Sequence, residues 1–97
     1  MRTHELKTWP EFFEVAVSGE KTFELRKDDR GFRVHDTLHL REWLPIDKAY
    51  TGREAWYRVT YLMCGEGFGL QPDWVCMAIM PTSDRTPPHP ATRSGGE

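Results

Sequence analysis

The stretch GEKTFELRK, residues 19–27, decides how this chain is read. It follows directly on WPEFFEVAVS, residues 9–18, whose apolar positions recur at helical spacing. Gly19 is the residue type that ends helices, because it enters the left-handed region without steric cost. Beyond it the period changes to two. Thr22, Glu24 and Arg26 fall on one side, Phe23 and Leu25 on the other, which predicts a strand over Thr22–Arg26. Lys21, Glu24 and Arg26 are thereby gathered close to one turn, which an ordinary surface strand does not require.

Working outward, the helix is predicted over Pro10–Ser18. Thr8 is placed to cap it, Pro10 suits the first turn, Glu11 complements the dipole, and Phe12, Phe13, Val15 and Ala16 form the apolar stripe. A first strand precedes it at Thr3–Lys7. After the polar turn KDDRGF, the run VHDTLHLREWL contains a third strand with Leu38 and Leu40 inward and His39 and Arg41 outward. PIDKAYTG is the next turn. REAWYRVTYLMC is the longest strand candidate, with Ala55, Tyr57, Val59, Tyr61 and Met63 sharing one face. The glycine-rich loop GEGFGLQPD leads into WVCMAIM, whose almost continuous apolar character predicts a central strand. From Pro81 the composition turns to PTSDRTPPHPATRSGGE, proline-rich without large apolar groups, which predicts a disordered tail over 81–97 behind a domain over 1–80. One helix and about five strands define an α+β fold with a curled or closed sheet.

The totals narrow the function. At 97 residues there is one domain, with 38% hydrophobic and 12% aromatic residues, enough for a modest core. Against 15 acidic groups stand 13 basic ones, a net charge of -2, so any anion site is local and not a broad basic surface. Cys64 and Cys76 lie in apolar runs and are expected as buried thiols, neither a disulfide framework nor a metal knuckle. The start MRTHELKTW carries no apolar signal core, and no run is long enough to cross a bilayer, so a cytoplasmic setting is expected. His4, His35, His39 and His89 show no metal-ligand spacing, and neither a metal nor a cofactor is expected.

Chemistry concentrates at Lys21, Glu24 and Arg26. Lysine and arginine only donate hydrogen bonds, and an ionised glutamate only accepts. A carboxylate between two cations fixes their geometry and leaves N–H groups for a phosphate or the polar edge of a base. The competing account is a salt-bridge cluster that dresses a solvated face. Phe68, between Gly67 and Gly69, is a candidate base-stacking residue; Arg30 and Arg33 could extend a basic rim; of the four tryptophans, Trp43 and Trp74 flank loops and are the candidates to line a cleft.

Gly19, Lys21, Glu24 and Arg26 spell G-x-K-x-x-E-x-R, which resembles the signature of the ASCH family within the PUA-like superfamily. The ordered blocks from HELKTWPEFFEVAVSGEKTFELRK through VTYLMCGEGFGL, about residues 3–80, look like the bacterial and phage family called domain of unknown function 3850. The resemblance implies a small PUA-like curled β-barrel with the helix packed beside it and an RNA- or nucleotide-binding cleft between them. The binding residues carried over with it are Gly19, Lys21, Glu24 and Arg26, with Arg30 and Phe68 added from their positions. DNA is an alternative ligand. A few relatives hydrolyse N4-acetylcytidine, with the motif lysine acting beside a threonine; here Glu24 occupies that place. Lys21 and Glu24 are therefore the catalytic candidates for an alternative reading as a hydrolase on a modified nucleoside or RNA, with Glu54 or Glu66 as a second carboxylate. A protein-interaction domain on the same fold is the third reading. The expectation is a binding module and not an enzyme.

Overall fold

The computed structural model describes residues 1–65 and 69–85. Within them the chain runs β1 (Thr3–Thr8), α1 (Pro10–Val17), β2 (Phe23–Lys27), β3 (Thr37–Leu44), β4 (Ala49–Cys64) and β5 (Trp74–Pro81). The strands form one five-stranded sheet in the order β1-β3-β4-β5-β2. β1 pairs with β3 in parallel and every other pair is antiparallel. The sheet curls into a half-barrel around Leu38, Leu40, Val59 and Met77, which are fully buried, and Phe13 and Ala16 of α1 close onto the same core. This is the expected α+β architecture.

The helix ends as its sequence predicts but begins differently. Gly19 takes φ 86° and donates to Ala16 O, and Lys21 N donates to Val15 O, which turns the chain back toward the sheet. At the other end Trp9 is the N-cap and no side chain caps the helix. Thr8 is drawn into β1, in register with Glu42 of β3, and its hydroxyl donates to Leu6 O. Parallel pairing claimed the residue that local capping would have used.

β4 departs twice from simple alternation. It starts at Ala49, inside the expected turn, because Trp43 pairs with Tyr50 and Leu44 with Ala49 across a short hairpin. Further on, the register with β5 shifts between Val59 and Tyr61, leaving Thr60 as an extra residue. One inserted residue exchanges the faces. The expected shared face therefore holds for Ala55, Tyr57 and Val59 and ends there: Tyr61 is 63% exposed and Leu62 packs against the core instead.

β5 lies between β4 and β2 and buries Val75, Met77 and Ile79, the central strand its composition predicts. The expectation of two buried thiols fails: Cys64 is exposed and Cys76 half-buried, both free. Met63 faces Cys76 and Val75 faces Cys64, so the two sulfurs lie on opposite faces of the pair.

A buried carboxylate ties the start of the chain to the turn before β3. Asp36 accepts from Arg2 N, His4 Nε2 and Arg33 N, and Phe32 packs edge-on against the His4 ring at 4.8 Å. Of the segment placed in the tail by composition, residues 81–85 carry contacts to the sheet: Asp84 accepts from Thr37 Oγ1 and Arg58 Nη2. Residues 86–97 lie outside the described residues. No helix among the described residues is long and apolar enough to cross a membrane.

Candidate functional site

The short strand β2 turns its polar face inward. Glu24 is in register with the fully buried Met77 of β5 and is itself 3% exposed. Phe23 and Leu25 are carried outward and stand 45% and 44% exposed. A buried carboxylate is costly to desolvate unless its oxygens are matched. Here both are. Lys21 Nζ donates to Oε2 at 2.6 Å and Arg26 Nε donates to Oε1 at 3.0 Å. The cluster thus belongs to the interior side of β2, and the account of it as a dressed solvated face does not hold.

The same arginine reaches across the open seam of the half-barrel. β1 and β2 are the two edges of the sheet and are not hydrogen-bonded to each other. Arg26 Nη2 donates to Lys7 O at 3.1 Å and approaches Thr8 Oγ1 at 3.4 Å. Arg30 Nη1 donates to Glu5 O at 3.1 Å. Guanidinium groups on β2 and in the turn after it therefore serve the backbone carbonyls of β1, where a closed barrel would have a ladder.

Between this seam and the start of α1 lies a cleft of about 660 Å³, within the range of small-molecule sites. Its apolar walls are Trp9, Phe12, Phe23, Leu25 and Trp74; Lys21, Arg26 and Lys27 supply positive charge. The Trp9 and Phe12 rings are stacked at 6.3 Å. Lys21 Nζ lies 5.1 Å from the centre of the Phe23 ring. Its single hydrogen bond goes to Glu24, which leaves two N–H donors among the described residues. Behind the cluster, burial holds the Tyr57 phenol protonated to higher pH than usual, and the charge of Glu24 pushes its pKa further up.

The sequence-derived site residues separate into three groups. Lys21, Glu24 and Arg26 come together, and Trp74 joins them in the cleft wall. Gly19 serves the helix end, Arg30 bridges the seam, Arg33 contributes its backbone N–H to Asp36, and Trp43 lies against Lys7 and Tyr50 instead of in the cleft. Glu66 and Phe68 lie outside the described residues. Glu54, the other candidate second carboxylate, pairs with His39 and Arg41 on the outward side of β3 and β4, away from Glu24.

Trp9 and Phe12 also line the cleft, although helical spacing places Phe12 in the apolar stripe of the helix. The missed signal is the pair Phe12-Phe13: adjacent helical positions lie about 100° apart, so one of them leaves the core. Phe13 is buried and Phe12 stays 48% exposed.

A curled α+β half-barrel with an ion-clamped aromatic cleft defines the class of domain, and the sequence assigns it. Residues 3–79 match the family described as Domain of unknown function (DUF3850), and the chain belongs to that family. It is also similar to a relative from Escherichia phage P2, the "Uncharacterized 12.9 kDa protein in GpA 3'region", at 37% identity over 59 residues. That match takes in 61% of this chain and 52% of the relative, so the chain spans about half the length of the phage protein.

Proposed function

We propose that this domain binds RNA or a nucleotide in the cleft around Lys21, Glu24 and Arg26. The observation that carries the reading is Lys21, held against a buried carboxylate with two N–H donors to spare, beside flat aromatic walls. Flat apolar surfaces take a base by stacking, and oriented ammonium and guanidinium groups take a phosphate or a carbonyl edge. The G-x-K-x-x-E-x-R run supports placing the family beside the ASCH domains. The free cysteines suit a reducing, cytoplasmic setting.

The test is a titration with nucleosides, nucleotides and short RNAs, following the amide signals of residues 19–27 by NMR. Saturable shifts there, weakened by roughly 1–3 kcal/mol in Lys21→Ala, support the proposal. For a ligand held in the cleft alone the salt dependence is expected to be shallow, a log–log slope of about -1.4 to -2 for two or three phosphate contacts. Unmoved amides across the panel would reject the reading. Conversion of N4-acetylcytidine that disappears in Lys21→Ala would replace it with the hydrolase.

A further inference from the structure

The face of the sheet turned away from the core carries a second array. On β1, β3 and β4 the outward positions form adjoining rows, Glu5–His39–Trp56 and Lys7–Arg41–Glu54, with Trp43–Tyr50 beyond. Lys7 Nζ sits 4.2 Å over the Trp43 ring, Trp43 meets Tyr50 edge-on at 4.8 Å, and the Arg41 guanidinium lies 3.8 Å over Tyr50. In the other row His39 stacks on Trp56 at 4.2 Å, and Arg85 lies 4.0 Å over Trp56. The strip is thus a succession of rings and cations across three strands.

Its charges are arranged unevenly. Glu5 and Glu54 face inward along the strip, toward His39 and Arg41. Lys7 and Arg85, at its two ends, have no carboxylate partner among the described residues. The acidic groups are spent on the middle, and the ends keep their positive charge. Rows two residues apart repeat at about 6.6 Å, close to the spacing of phosphates along an extended single strand. Guanidinium planes and aromatic rings both accept a stacked base, whatever its identity.

Lys7 connects this face to the cleft. Its carbonyl accepts from Arg26 and its residue lines the cleft, while its ammonium sits over Trp43 on the other side of β1. We infer that a single-stranded nucleic acid seated in the cleft continues over the β1 edge onto this outer face. There its bases stack on the Trp43, Tyr50 and Trp56 array, and its phosphates meet Lys7 and Arg85. The inference rests on the nucleic-acid reading of the cleft and extends it from a single nucleotide to a run of them.

The experiment compares a mononucleotide with a single strand of about eight nucleotides by calorimetry. The longer ligand binds at least about tenfold tighter to the native protein, the scale of one added stacking contact. Trp43→Ala removes that gain and leaves mononucleotide affinity within about twofold; Lys21→Ala weakens both ligands. Arg85→Glu, at a position outside the core, gives the same selective loss and covers the case in which Trp43→Ala does not fold. Equal affinity for the two lengths, or an octamer unaffected by Arg85→Glu and by folded Trp43→Ala, overturns the inference while leaving the cleft standing. Failure of both ligands to bind the native protein overturns the cleft reading with it.

Discussion

Lys21 reaches Glu24 at 2.6 Å across two intervening residues, because the turn after Gly19 folds the lysine back over the strand that carries the glutamate. Removing the carboxylate leaves Lys21 and Arg26 facing one another without their anion. Breaking a buried ion pair from one side is expected to cost about 3–5 kcal/mol. Glu24→Ala should fall near that figure in urea denaturation. Glu24→Gln, which keeps the size and one acceptor, should lose about 1–3 kcal/mol. A loss below about 0.5 kcal/mol in Glu24→Ala would mean the cluster is a surface ornament.

The Thr60 insertion sets the two residues after it on exchanged faces. Tyr61→Lys is therefore expected to change stability by less than about 0.5 kcal/mol, whereas Leu62→Ala should lose about 1–2 kcal/mol for a partly buried leucine. Thermal or urea melts of the two variants decide it. The reverse ranking would restore plain alternation along β4.

Tyr57 sets an alkaline limit. Burial, with Glu24 adding to it, lifts its phenol above the usual value, which is about 10. Between those two values the folded state holds a proton that the unfolded state has released. Stability is then complete below about pH 10 and declines as the pH rises through 10 toward the folded value. Absorbance titration should show one tyrosine ionising later than the rest, and Tyr57→Phe should lose that late phase. A Tyr57→Phe profile identical to the native one would place the late phase elsewhere.

Asp84 and Arg85 contribute to the sheet through Arg58, Thr37 and Trp56. A chain ending at residue 82 is expected to melt a few degrees below one ending at 85, for about 1 kcal/mol of lost contacts. Coincident melting curves would show these contacts to be without weight.

The elements that the sequence revealed are those set by local chemistry. Pro10 and Gly19 mark the helix, and the continuous apolar run of WVCMAIM marks an interior strand. What stayed hidden depends on partners distant in sequence. Nothing near Thr60 announces that β4 needs an extra residue against β5. Nothing near Thr8 announces that β3 will take it into the sheet. For β2 the alternation was legible and its buried side was not, since Phe23 and Leu25 argue for the opposite orientation; Glu24 wins because two cations and the adjoining Met77 surround it. Lys21, Glu24 and Arg26 could be found because their contacts span only a few residues. The aromatic walls of the cleft come from three separate elements and emerge only on folding.

The strand order carries a consequence for the time course of folding. β3 and β4 meet through a short hairpin and can pair early, but β1 must wait for β3, and Phe23 of β2 finds Ala78 only in the last strand. Pairings so distant along the chain are slow, because loop closure precedes any reward. Substitutions in the β3–β4 hairpin are expected to slow refolding, and those in β2 chiefly to speed unfolding. On a ribosome, Glu24 and its two cations remain in water until Trp74–Pro81 has emerged. The cleft is the last part of the domain to be assembled.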